Sequence, residues 1–238
     1  MPAIAGVIAR RLLVNYRLDP AAAERLMPAP FRPLTYRGYA IAGICLIRLE
    51  KVRPAGLPAL AGIASENAAH RFAAEWDSPD GPQTGVFIPR RDTGSALNHL
   101  AGGRLFPGEH HLAKFEVADD GERVALSMRS DDESCQLRVA GHSAAELPGD
   151  SLFPSLAEAS GFFQCGTGYS VTKAPGRFDG IRLVIPQWEA RPFAVDELAS
   201  SFFDDPAIFP RGAAIFDHAL VMRGIAHRWE RCGDLRCG

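Results

Sequence analysis

The sequence predicts an α+β domain built on an antiparallel sheet. Period-two alternation of apolar residues recurs along the chain, first and longest in Ile4 to Leu18. An Asp-Gly turn signal at Asp119-Asp120-Gly121 joins two such runs, His110 to Val117 and Glu122 to Arg129, into a hairpin. Helix signals are few and short, the clearest being Asp19-Pro20, with Asp as N-cap and Pro at the first helical position.

In order, Ile4, Ile8, Leu12, Val14, Tyr16 and Leu18 share one parity in the first strand, and Arg10 shares it with them. A helix over Ala21 to Met27 stops at Pro28 and Pro30, and a second strand runs from Tyr39 to Leu49. Pro54 to Pro58 is a loop, and Ser65 to Trp76 a third strand, with Glu66, Ala68, His70, Phe72, Ala74 and Trp76 on one face. Asn67, Arg71 and Glu75 fall on its other face. Thr84 to Arg90 is a strand, Ser95 caps a short helix over Ala96 to Leu100, and Ser134 to Gly141 follows the hairpin as a further strand. Leu152 to Ser160 is expected as helix, Ile181 to Ala190 as strand, Asp196 to Phe203 as helix, and Ala213 to Arg223 as the last strand. About eight strands with a few helices, no repeat and no linker make one domain over 1–238, its last residues a tail.

The chain has 238 residues, 47% of them hydrophobic, enough for a sizeable core. A net charge of −2 with no basic block argues against a nucleic-acid partner. Lysine occurs only at Lys51, Lys114 and Lys173. Five cysteines at irregular spacing make no disulfide framework and point to a reducing, cytoplasmic setting. His227, Cys232 and Cys237 lack a fourth partner for a metal site and are read as part of the tail. No signal peptide and no apolar run of membrane-spanning length is present, so no membrane partner is expected.

Chemistry concentrates in Gly103 to Lys114, where glycines and a proline break the backbone ahead of Glu109, His110 and His111. The second concentration is Glu66 and His70 beside Phe72 and Trp76, a pattern that suits an inner wall with a polar patch. By parity His111 is expected to point inward rather than His110. Lys114 shares a face with His110 and Glu116, which puts it outside if the apolar face is interior. Glu109, His111, Glu66 and His70 are ligand types that suit zinc or iron, but no tight ligand motif joins them, so neither metal nor cofactor is expected.

Three local patterns resemble the acetoacetate decarboxylase-like superfamily, with a little-characterised bacterial branch as the best match. They are Tyr16-Arg17-Leu18-Asp19 followed by a helix and Met27-Pro28-Ala29-Pro30-Phe31; Ser65-Glu66-Asn67 with a later Gly103-Arg104 and Phe106-Pro107; and Phe216-Asp217-His218-Ala219-Leu220 in the final strand. The resemblance implies a cone-like antiparallel β-barrel around a buried polar pocket, in an oligomer. It also implies a pocket glutamate at Glu66 and a pocket arginine at or near Arg10. In the decarboxylases two lysines follow the proline, one forming a Schiff base while the other lowers its pKa. Gly108 and Glu109 stand at those positions here, so the nucleophile is missing.

The expected ligand is a small organic acid or carbonyl compound. Glu66, His70, Glu109 and His111 are the candidates for moving protons, and Arg10, Arg104 and Lys114 for holding substrate, with Arg10 the chief anchor of a carboxylate. The competing readings are a non-catalytic ligand-binding barrel and a structural or interaction subunit.

Overall fold

A computed structural model describes residues 3–58, 60, 62–101, 107–164 and 166–237. In chain order the elements begin with β1 (Ile4–Leu18), α1 (Pro20–Glu24), β2 (Arg32–Pro33), β3 (Thr35–Tyr36), β4 (Tyr39–Pro54), β5 (Ile63–Ser78) and β6 (Gly81–Thr93). Next come α2 (Ala96–Ala101), β7 (His111–Asp119), β8 (Arg123–Ser130), β9 (Gln136–Ser143) and α3 (Leu156–Phe162). The chain ends with β10 (Thr167–Val171), β11 (Arg177–Val184), β12 (Arg191–Ser200), β13 (Ala214–Arg231) and β14 (Leu235–Arg236).

The strands form one curved sheet in the order β14-β11-β10-β6-β7-β8-β9-β12-β13-β1-β4-β5-β2. Extra pairings of β5 with β6 and of β11 with β13 return the sheet on itself. Most pairs are antiparallel, as expected; β6 pairs in parallel with both β7 and β10. β1 lies between β13 and β4 and is buried on both faces: Ile8, Leu12, Leu13, Val14 and Leu18 have no exposed surface. Each such side chain contributes roughly 1.5–3 kcal/mol of burial. Leu12, Val14, Tyr16 and Leu18 pack into the large core with Phe72, Trp76 and Phe87, whereas Leu13 joins Ile8 and Leu220 in a second cluster across the sheet. A bulge between Ile8 and Arg10 turns Ile8 away from the face that Arg10 and Leu12 share.

Asp19 caps α1 as expected, accepting from the Ala21 and Ala22 amides, and Ser95 accepts from the Asn98 amide at the start of α2. Two expectations need correction. Asp196 to Phe203, read as a helix, is mostly the end of β12; a bulge between Val195 and Glu197 breaks the alternation that marks a strand. The expected tail is tied down: β13 runs on to Arg231, β14 pairs with β11, and the Cys237 amide donates to the Gly176 carbonyl. Cys45, Cys135, Cys232 and Cys237 are free thiols. Among the described residues no helix is long and apolar enough to cross a membrane.

Candidate functional site

Two arginine pairs organise the polar interior. In a strand, neighbouring side chains point to opposite faces, so Arg10-Arg11 in β1 and Arg90-Arg91 in β6 each send one guanidinium to either side of the sheet. Arg10 and Arg90 go to the face that carries Glu66 and His70. Arg11 and Arg91 go to the other, where they line a cavity of about 130 Å³.

On the first face Arg10 is 2% exposed and donates to Glu66 Oε2 at 2.6 Å and to Asp119 Oδ2 at 3.2 Å. Arg223 also clasps Asp119 with two bonds of 2.9 Å. Burial raises the Glu66 carboxyl above its usual value, with the Arg10 and Arg48 guanidiniums pulling the other way. Arg10 and Glu66 therefore meet, as parity implied, but as partners within a closed ion-pair network.

His70 lies deeper on this face, without exposed surface, against the rings of Phe202 and Phe203. Burial holds its imidazole down to about 3. Its Nε2 is 3.8 Å from Cys135 Sγ, and its ligand nitrogen, the Cys135 sulfur and an Asp92 oxygen lie within 4.8 Å of one another. Among the described residues this trio alone has the spacing to hold a metal ion. Arg90 already donates three bonds of 2.7–3.0 Å to Asp92, and burial pushes the Cys135 thiol up to about 11, so both anionic donors are disfavoured. The four residues considered from sequence, Glu66, His70, Glu109 and His111, do not form such a group.

The remaining sequence candidates disperse. Glu109 is half-buried, its amide donates to the Val171 carbonyl, and it is absent from the cavity wall. Lys114 is exposed on β7, and Arg104 lies outside the described residues. The two adjacent histidines are reversed from expectation: His110 is buried and lines the cavity, while His111 Nδ1 sits 3.2 Å from the surface carboxylate of Asp132. His110 precedes the first residue of β7, so strand parity does not govern it. Burial first, and Arg91 second, hold its imidazole down to about 3.

The cavity wall comes from β1, β4, β5, β6, β10, β11, β13, α2 and the segments that follow α2 and precede β10. Ile47, Leu49, Val86, Ile88, Ile181 and Leu183 make it largely apolar, with Arg11, Arg71, Arg91, Asn67, Asn98, His110 and the carboxylate of Asp92 among its polar groups. Arg11 Nε donates to Cys45 Sγ at 3.3 Å, its guanidinium lies 5.3 Å from the Trp188 ring, and its Nη1 is buried with no hydrogen-bond partner. Arg91 Nε donates to Ser170 Oγ at 2.8 Å, and burial lowers its pKa to about 10, so it remains a cation at neutral pH. Among the described residues no carboxylate pairs with either.

Arg71 is held from behind. Its guanidinium lies 4.1 Å over the Phe163 ring and donates to Asn15 Oδ1 at 2.5 Å. Asn15 Nδ2 stands 3.0 Å from His218 Nε2, and His218 Nδ1 is 2.7 Å from Asp217 Oδ2. One polarity satisfies the chain: Arg71 donates to the Asn15 oxygen, the Asn15 amide to His218 Nε2, and His218 Nδ1–H to Asp217. The signal for this chain was in the sequence as Phe216-Asp217-His218; Asn15, inside an apolar strand, was the overlooked link.

Gly108 stands between Pro107 and His110 of the cavity wall. It has φ +81°, and a Cβ there would lie 2.4 Å from Ser170 Cβ and 3.1 Å from the Val171 carbonyl oxygen. Gly108→Lys is therefore expected to destabilise the fold by at least ~2 kcal/mol, from left-handed strain plus the clash, as measured by urea denaturation. Full stability in that variant would show that the loop can refit a lysine.

A family model described as "Uncharacterized conserved protein (COG2071)" matches residues 8–209, a span that holds both arginine pairs, Gly108 and the cavity wall up to Leu183. The chain belongs to the DUF2071 family. No curated protein sequence matches this DUF2071 chain. Among solved structures it is similar to the acetoacetate decarboxylase of Legionella pneumophila, with TM-score 0.62 and 11% identity over 97% of this chain and 87% of that one. An acetoacetate decarboxylase-like enzyme from Sphingomonas wittichii RW1 gives TM-score 0.56 and 13% identity over 100% and 94%. The enduracididine biosynthesis enzyme MppR, complexed with pyruvate, gives 0.59 and 12% over 99% and 91%. At these identities the likeness is one of fold, and it agrees with the acetoacetate decarboxylase-like architecture expected from the sequence.

Proposed function

We propose that this DUF2071 chain binds a small organic-acid anion in the arginine-lined cavity, without a Schiff-base lysine. The observation that carries the reading is a pair of guanidiniums, Arg11 and Arg91, lining one small, largely apolar cavity whose one described carboxylate, Asp92, is engaged by Arg90 and pairs with neither. Burying an unpaired cation costs several kcal/mol, and an arriving carboxylate offsets that cost with charge-assisted hydrogen bonds. The pyruvate complex of MppR supports an acid of this size on the same fold. None of the three lysines lines the cavity, and all are exposed. His110, the imidazole in the wall, is too weakly basic to be a strong proton acceptor near neutral pH, which favours binding over turnover.

Calorimetric titration with pyruvate and acetoacetate, beside their neutral methyl esters, tests this. The acids are expected to bind at least about tenfold tighter than the esters, a difference of ~1.4 kcal/mol. Arg91→Gln should erase the preference. Equal affinity for acid and ester would overturn the reading. Borohydride treatment with either acid is expected to leave the protein mass unchanged, and an adduct on any lysine would overturn the lysine-free part.

A further inference from the structure

The pairing register places two of the three cavity guanidiniums, Arg11 and Arg91, at opposite sides of the wall. Arg91 of β6 pairs with Ala69 of β5, Ala69 with Cys45 of β4, and Cys45 with Leu13 of β1. Arg11 stands two residues along β1 from Leu13, so three strand spacings separate it from Arg91, roughly 14 Å at ~4.8 Å each. Between them the wall is built from Cys45 and Ala69, whose small side chains leave the space open. Both arginines line the same cavity from strands at its two sides, while Arg71, on β5 between them, is already engaged by Asn15 Oδ1 and the Phe163 ring.

Among the described residues neither end has an internal counter-ion. Asp92, the carboxylate of the wall, is already held by three bonds from Arg90. Arg11 has a thiol and an indole as neighbours, and its Nη1 is buried without a partner. Arg91 has the Ser170 hydroxyl. A ligand with one carboxylate neutralises one end and leaves the other, half-buried cation uncompensated, which is the costlier arrangement.

We infer that the cavity is built for a two-ended acid, a short-chain dicarboxylate spanning from Arg11 to Arg91. This rests on the anion-binding reading above and narrows it. The volume of about 130 Å³ corresponds to about four waters at ~30 Å³ each, room for a four-carbon diacid and too little for a nucleotide. A phosphate concentrates its charge on one centre and reaches one end only.

The test compares succinate, monomethyl succinate, dimethyl succinate and inorganic phosphate by calorimetry on the unaltered protein at pH 7.5 and fixed ionic strength. Succinate is expected to bind about 10- to 100-fold tighter than its half-ester, the range of one charge-assisted contact. Arg11→Gln and Arg91→Gln are each expected to bring succinate down to the level of the half-ester. A half-ester that binds as tightly as the diacid, while both exceed the neutral diester, overturns the two-ended ligand and leaves the anion site standing. Phosphate binding as tightly as succinate also overturns it, in favour of a single compact anion. Equal binding of diacid, half-ester and diester overturns the anion site and the two-ended ligand together. The ligand series needs no variant, so it decides the matter even if an arginine replacement fails to fold.

Discussion

Taking the protein from pH 7.5 to pH 5 is expected to remove most of its folding free energy. His70, His110 and His227 are all buried, and burial is the first cause that holds their imidazoles down, to about 3, about 3 and about 4 respectively. In the unfolded chain each returns to about 6.5. Between these values the unfolded state takes up protons that the native state refuses, so stability is full above about pH 6.5 and falls as the pH drops toward the folded pKa values. The slope is about 1.4 kcal/mol per pH unit for each histidine, about 4 kcal/mol for the three together. At pH 5 the loss is on the order of 6 kcal/mol, against a typical total of about 5–15 kcal/mol. His227 gives the sharpest control, because among the described residues neither ring nitrogen has a hydrogen-bond partner and its ring meets Trp229 edge-on at 4.5 Å. His227→Phe should flatten the slope by about a third and raise stability at pH 7.5, since it removes orphaned polar atoms from the interior. Urea denaturation at half-unit steps from pH 7.5 to 5 measures both effects. A midpoint that stays constant across that range would overturn the account.

The same burial explains which parts of the fold were legible in the sequence. β1 was readable to its last residue because alternation, a two-sided apolar pattern and the Asp19-Pro20 stop all agree there. β12 was not, since its bulge after Val195 puts Asp196, Glu197 and Leu198 in an order that suits a helix equally well. The correct strand is set by pairing with β9, a partner some 50 residues away whose identity no local window contains.

The site was legible only in part, and the reason is geometric. Parity grouped Arg10 with Glu66, and the two do meet, but the reading stopped at the first arginine of Arg10-Arg11. An arginine pair in a strand buried on both faces must send one cation to each face, which is a signal for Arg11 and Arg91 that needs no alignment. Asn67 and Arg71 were placed correctly on the face opposite Glu66, yet that face was not recognised as the cavity wall. Part of its apolar surface, Ile181 and Leu183, comes from β11, which reaches it by pairing with β10, itself paired in parallel with β6. Long-range closure of this kind carries no local periodicity.

Asp217→Ala is expected to cost about 3–5 kcal/mol of stability and to weaken anion binding in the surviving folded protein. Asp217 is 2% exposed and accepts from His218 Nδ1 at 2.7 Å, the Leu152 amide at 2.8 Å, Ser151 Oγ at 2.9 Å and Arg17 Nη1 at 3.2 Å. Burial alone would raise its carboxyl, but these donors overcome that and hold it below the usual carboxylate range. Alanine leaves the His218 N–H and the Leu152 amide without their acceptor in a space closed by Phe153, whose ring lies 5.2 Å from that of His218, while Arg17 keeps the Asp150 carbonyl at 2.7 Å. His218 then has no reason to keep Nδ1 protonated, so Nε2 ceases to be a fixed acceptor for Asn15, and Asn15 ceases to orient the Arg71 guanidinium at the cavity wall. Asp217→Asn keeps an oxygen for His218 and Ser151 but loses the charge and sets an amide donor against the Leu152 N–H and Arg17, so its cost should be smaller than that of alanine yet real, about 1–3 kcal/mol, with anion affinity largely retained. The expected order is therefore wild type, then Asn, then Ala, in both urea stability and calorimetric affinity for succinate. If the alanine variant loses stability but binds succinate as tightly as the parent, the chain from Asp217 to Arg71 is a structural brace with no influence on the cavity.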